Sequence, residues 1–219
     1  SMSQCRDENE SDRHGHEHNH GDEHDHDHDG PDRGAEESLF SQIYQENVRC
    51  LNESEPGAGK KVIKPWHERN DTTKYVESDA DEQLIFFIPF TGSVKLKSIL
   101  IKGGPGDSCP AKLKAFINRE DIDFSTVERI APTQEWDLVQ TGEIVEYQTK
   151  MTKMYNVRNL TLFISDNYGD DLTRISFLGF KGEWMAIRQD PIITIYEATA
   201  NPADHRTPAG EDRIQHGIQ

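Results

Sequence analysis

Apolar and polar residues alternate along three stretches of this chain: Val94-Lys-Leu-Lys97, Leu113 to Ile117, and Leu160 to Ile164. Alternation with a period of two puts one face toward a core and the other toward water, so each stretch predicts a half-buried strand. Leu84 to Phe90 reads Leu-Ile-Phe-Phe-Ile-Pro-Phe with no polar break, which suits a strand covered on both faces. Pro89 marks the end of that strand or a bulge in it, because proline cannot donate to a ladder. Further strands are expected around Thr73 to Val76, Trp136 to Val139, Ile144 to Thr149, Arg174 to Gly182 and Ile192 to Tyr196. Helical periodicity is scarce. Leu39, Phe40, Ile43 and Tyr44 make one short amphipathic turn after a Ser38 cap, and Val48 to Leu51 leads into a Gly/Pro loop at Pro56 to Gly59. Eighteen isoleucines favour the same strand-rich reading. Roughly nine strands with turn-rich connections define an all-β fold, an antiparallel sandwich or jelly roll.

The two ends differ from this middle. Of the chain's 73 apolar residues, Ser1 to Glu37 holds three, Met2, Cys5 and Ala35, together with 13 acidic and three basic residues. Such a segment cannot offset the entropy of ordering, so residues 1–37 are expected to form a disordered, acidic tail whose removal leaves the thermal midpoint unchanged. The domain is expected over residues 38–206, and 207–219 reads as a polar, loose C-terminus. The net charge of −16 and the lack of a basic, aromatic-interleaved patch argue against nucleic acid and acidic membranes as partners, since phosphate neutralisation supplies much of that affinity. No apolar run approaches the roughly 18 residues of a membrane span, and the N-terminus has no secretion-signal pattern. An intracellular, monomeric protein is expected.

Cys5, Cys50 and Cys109 are odd in number and show no CxxC spacing, which speaks against a disulfide framework and a four-thiolate zinc site. No local signature joins Cys50 or Cys109 to His67 or His205 as nucleophile and base, and no catalytic residues are assigned. His14, His16, His18, His20, His24, His26 and His28 are imidazole ligands on a flexible chain, able to chelate Zn, Ni or Cu adventitiously. Glu77-Ser-Asp-Ala-Asp-Glu82 gathers carboxylates but lacks the spacing of a calcium loop, and reads as a solvated turn. Gly103-Gly-Pro-Gly-Asp-Ser follows a strand without a GK[ST], so it reads as a turn rather than a phosphate cradle. No cofactor is expected.

Lys64-Pro-Trp-His-Glu-Arg69 and Lys181-Gly-Glu-Trp184 each set a tryptophan among basic residues, and Trp and Arg are favoured anchors at protein interfaces. With Arg188 following the second motif, the candidate partner-binding residues are Lys64, Trp66, Arg69, Lys181, Trp184 and Arg188. Closing one end of the sandwich is an equally good role for either tryptophan.

Cys50-Leu-Asn-Glu-Ser, Tyr75-Val-Glu-Ser-Asp-Ala-Asp-Glu-Gln-Leu84, Ile88-Pro-Phe, Val94-Lys-Leu-Lys-Ser98, Ala131-Pro-Thr-Gln, and Asn159-Leu-Thr-Leu-Phe-Ile to Thr173-Arg-Ile-Ser176 occur in one order over about Ser38 to Tyr196. Together they resemble the PITH domain, a proteasome-interacting module found at the C-terminus of thioredoxin-like proteins. Lys64-Pro-Trp-His-Glu-Arg, Lys181-Gly-Glu-Trp and Tyr196-Glu-Ala-Thr-Ala-Asn-Pro-Ala-Asp-His-Arg206 resemble members that carry no thioredoxin domain. The resemblance implies a galactose-binding-like jelly roll, no catalytic activity, association with the proteasome, and residence in cytoplasm and nucleus. There is no WCxxC in this sequence, so a role in dithiol chemistry is not carried over. The rival expectation is a β-sandwich that binds a sugar or metal through loops at one end, beside a metal-chelating tail.

Overall fold

A single long strand ties the two layers of the sandwich together. The computed structural model describes residues 33–188, and among them are eight strands. They are β1 (Arg49–Leu51), β2 (Val76–Glu77), β3 (Leu84–Gly103), β4 (Pro110–Ile117), β5 (Gln134–Asp137), β6 (Val145–Gln148), β7 (Val157–Asn167) and β8 (Arg174–Met185). All their pairings are antiparallel. The first half of β3 pairs with β1 and β7, and β4 and β5 extend that layer beyond β7. Its second half pairs with β8 and β6, with β2 beyond β8.

The apolar run at Leu84 and the alternation at Val94 are therefore parts of one strand of 20 residues. Pro89 does not end it. The β3–β7 register shifts between Pro89 and Val94, and the missing amide donor falls where the ladder is already interrupted. The carbonyl of Pro89 instead accepts from the Tyr44 amide at 3.0 Å.

Leu84, Phe86, Ile88, Leu113, Ala115, Leu160, Leu162 and Ile164 face Val94, Leu96, Ile99, Ile101, Ile175, Leu178 and Phe180 in the main core. The other side of β3, β4 and β7 offers Ile85, Phe116 and Phe163, covered by Ile122, Val127 and Ile130 from the loop after β4. Two apolar faces explain why the start of β3 has no polar alternation.

Smaller departures from the pattern have local causes. The strand expected at Thr73 to Val76 is Val76–Glu77 only, because Asp71 accepts from the amide and hydroxyl of Thr73 and holds a turn before it. The Gly/Pro loop contains one helical turn, α2 (Ala58–Lys61), entered through Gly57 at φ 85° and fastened by Glu53, whose carboxylate accepts from the amides of Gly57 and Gly59 at 2.7 Å each. The turn at Phe40–Gln42 is 3-10, with Leu39 and Ile43 buried. The expected strand at Ile192 to Tyr196, the histidine tract and residues 207–219 lie outside the described residues. Among the described residues no helix is long and apolar enough to cross a membrane.

The folded part begins earlier than Ser38. Residues Arg33–Glu37 form a short helix, α1. Gly34 packs so closely on the indole of Trp66 that a Cβ there would lie 2.2 Å from Cζ2, and Glu37 pairs with Lys97 at 3.6 Å. A chain starting at Ser38 loses that cover. Its thermal midpoint is expected to fall about 4 °C below that of a chain starting at Arg33, the shift that roughly 1–2 kcal/mol produces in a domain of this size. Equal midpoints in a calorimetric comparison would show α1 to be idle.

The outer edge of β8 is closed piecemeal. β2 pairs with its first two residues, Lys64 reaches the Ser176 carbonyl, Val62 accepts from the Leu178 amide, and Leu39 donates to the Phe180 carbonyl beside a Ser38–Lys181 bridge. Three short segments, residues 38–39, residues 62–64 and β2, thus do what a neighbouring strand would do, and leave little unpaired backbone to recruit another chain.

Candidate interaction surface

The segment that follows α2 positions the first tryptophan. Pro65 at φ −56° starts a 3-10 turn, Trp66–Glu68, and the Arg69 guanidinium folds back to donate to the Trp66 carbonyl at 2.9 Å. That fold-back places the Arg69 guanidinium carbon 4.4 Å from the centre of the Trp66 ring. From β8, the Lys181 ammonium stands 4.9 Å from the same ring. Two cations against one indole are a favourable electrostatic arrangement of about 0.5–1 kcal/mol each when exposed.

Lys181 is held in turn by Glu146 of β6 at 3.2 Å, and the other carboxylate oxygen of Glu146 accepts from the Ser98 hydroxyl at 2.6 Å. Burial pushes the Glu146 carboxyl up, but Ser98 and Lys181 outweigh it and keep its pKa below the usual range. Beside this group Lys97 pairs with Glu183 at 3.1 Å, and its pKa is raised chiefly by that bond. The outer face of β8, β3 and β6 therefore carries a connected set: Trp66, Arg69, Lys181, Glu146 and Ser98.

Of the six residues picked from the sequence, the fold brings together Trp66, Arg69 and Lys181. Lys64 is a correction. It is 3% exposed, and its ammonium donates to the carbonyls of Asp71, Lys74 at 2.9 Å and Ser176 at 2.5 Å, so it is a structural cation rather than one at an interface rim. Burial pushes its pKa below the ordinary lysine value, with Asp71 pulling back and Lys74 adding to the fall. Trp184, 40% exposed, shares the strand face of Leu178 and Phe180 and lies over Gly92, at the end of the core rather than beside Trp66. Arg188 is exposed and follows β8 without regular structure.

Glu146 and Ser98 escaped the sequence reading because each is one polar residue in an alternating strand. Nothing local tells that either will face a residue on another strand.

The other candidate chemistry is absorbed by structure. The Cys50 thiol is pushed up by burial and by Glu53, and Cys109 by burial, the opposite of what an activated nucleophile needs. Glu77 pairs with Arg174 at 2.7 Å, and Asp81 accepts from Asn52 at 2.9 Å. No cluster of three His, Cys, Asp or Glu fit to hold a metal occurs among the described residues.

The architecture defines the class first. The fold is similar to the CBM32-1 and CBM32-2 domains of Clostridium perfringens ZmpB, solved in complex with GalNAc, with a TM-score of 0.54, 11% identity, 70% of this chain covered and 37% of that one. The same pair of domains solved without it gives a TM-score of 0.51 at 11% identity, covering 69% of this chain and 38% of that one. This is a galactose-binding-like β-sandwich. The PITH domain family matches residues 29–200. PITH domain-containing protein 1 of Homo sapiens and of Mus musculus are each 47% identical over 177 residues, 80% of this chain and 83% of theirs. PITH domain-containing protein CG6153 of Drosophila melanogaster is 45% identical over 181 residues, 81% of this chain and 85% of its own. The chain belongs to the PITH domain family.

Proposed function

We propose that this chain is a non-catalytic interaction module that docks on the proteasome through the outer face around Trp66. The observation that carries the docking face is the Trp66–Arg69–Lys181 cluster, in which an aromatic anchor and two cations from distant parts of the chain converge on one surface. The choice of partner rests on family membership and on the module's resemblance to proteasome-interacting domains.

Affinity capture of purified 26S proteasome by the folded region tests both parts. Reversing Arg69 to Glu is expected to weaken capture about tenfold and to reduce its salt dependence, while the fold survives with a midpoint lowered by a few degrees. Retention that is unaffected by Arg69→Glu would move the docking face elsewhere. A folded chain that captures no proteasome would remove the assignment.

A further inference from the structure

One end of the second layer opens into a cavity of about 380 Å3 between the start of β8, the end of β3 and the turn before β2. Its chemistry is carried by Tyr75, Lys102, Arg174, Thr72 and the Gly103-Gly104-Pro105 turn. Arg174 lies flat, its guanidinium carbon 4.1 Å from the centre of the Tyr75 ring, and both its Nε and Nη2 donate to one oxygen of Glu77, at 3.0 and 2.7 Å. Gly104 permits this closeness, since a Cβ there would lie 2.6 Å from the Arg174 Cβ. Tyr75 remains 41% exposed.

The charges do not balance. Glu77 answers Arg174, but the Lys102 ammonium has neither an ion pair nor a hydrogen bond among the described residues, and the Thr72 hydroxyl is equally unpartnered there. Behind the floor the buried Lys64 ammonium donates to the carbonyl of Ser176, itself a wall residue. In a chain of net charge −16, this is a concave spot with a surplus of positive charge beside an aromatic face.

We propose that this cavity binds a small monocarboxylate carried on an apolar or ring-shaped body, the carboxylate on Lys102 and the free edge of Arg174, the body against Tyr75 and Pro105. A phosphate fits less well. Its charge of about −1.5 to −2 exceeds the local surplus beside Glu77. The turn also offers little backbone to it, because Pro105 has no N–H and the Gly104 amide is spent on the Arg174 carbonyl at 2.7 Å. Two sources share this chemistry, an acidic peptide group and a sugar acid. The proposal is independent of the docking face around Trp66.

Amide NMR of the full chain, titrated separately with N-acetyl-glutamyl-tyrosine amide, glucuronic acid, neutral galactose and inorganic phosphate, tests it. Shifts at Gly103, Gly104 and Gly142, with dissociation constants of about a millimolar, are expected for the peptide or the sugar acid or both. The glutamine analogue of the peptide and galactose are expected to leave these signals in place. Whichever carboxylate binds more tightly names the source. Lys102→Gln should keep the thermal midpoint, since that side chain bonds to nothing in the fold, and weaken carboxylate binding about fivefold. Galactose or phosphate binding as well as the carboxylates, absence of shifts with any probe, or full affinity in Lys102→Gln would each overturn the proposal.

Discussion

Replacing Lys64 by methionine is expected to lower the unfolding free energy by about 3 kcal/mol, read from urea denaturation. Methionine keeps the length and apolar stem, so packing changes little and the loss isolates the ammonium. Three carbonyls, of Asp71, Lys74 and Ser176, then lose their donor. An unsatisfied buried acceptor costs about 1–3 kcal/mol. The Ser176 bond is the fully buried one and carries most of the effect, whereas the Asp71 and Lys74 carbonyls regain water in part. Shedding a desolvated charge offsets some of the loss. The pH dependence has a definite sign. Burial lowers the folded-state pKa, so between that value and the ordinary 10.5 the unfolded chain binds more protons than the native one. Stability contributed by Lys64 therefore rises with pH through that window, and the gap between native protein and Lys64→Met widens. A variant as stable as the native chain would show that water replaces the ammonium.

Gly182→Ala is expected to cost about 3 kcal/mol or to abolish folding, at the upper end of overpacking penalties. A Cβ at this position would lie 2.1 Å from the Lys95 carbonyl oxygen. The obstacle is backbone. Gly182 is the register partner of Leu96, so neither strand can retreat without breaking the β3–β8 ladder. Gly142→Ala is the matched control, because a Cβ there meets nothing within 4 Å. Its denaturation midpoint should match the native protein's. If Gly182→Ala unfolds at the same denaturant concentration as Gly142→Ala, the ladder is more plastic than its pairing suggests.

Most strands were legible because the residues facing the main core recur at every second position, as with Leu113 and Ala115 or Leu160, Leu162 and Ile164. Phe116, Thr161 and Phe163 between them are buried as well, so these strands are covered on both faces rather than half-buried. The all-β class and the sandwich followed from these. What was illegible is non-local. The continuity of β3 through Pro89 depends on a ladder already broken there, and proline alone reads equally as an end or as the bulge it marks. The helical turn at Arg33–Glu37 has almost no apolar content of its own, and it is explained only by the Trp66 indole that Gly34 packs on. Lys64 misled for a related reason. Lysines are almost always at the surface. Of the three carbonyls that hold this one, two come from the turn 7 and 10 residues on and the fully buried one from Ser176, 112 residues away, which leaves no local trace. The two tryptophan motifs read as separate in the sequence, whereas the fold brings Lys181 from one to Trp66 and Arg69 of the other and leaves Trp184 over Gly92.

The patchwork edge of β8 also sets the order in which this chain can be completed. The segments that close it come from the first half of the sequence, and the Lys64–Ser176 bond spans 112 residues. While the ribosome is still making the loop before Arg174, Leu39, Val62 and Lys64 have no strand to meet, and the second half of β3 has β6 on one side and lacks β8 on the other. They acquire their partners together, when the last strand arrives. Loop closure of that length is paid before any of these bonds reward it, which places the protein among slow, high-contact-order folders, in the range of milliseconds to seconds, and makes arrival of β8 the late, committing event of its biogenesis.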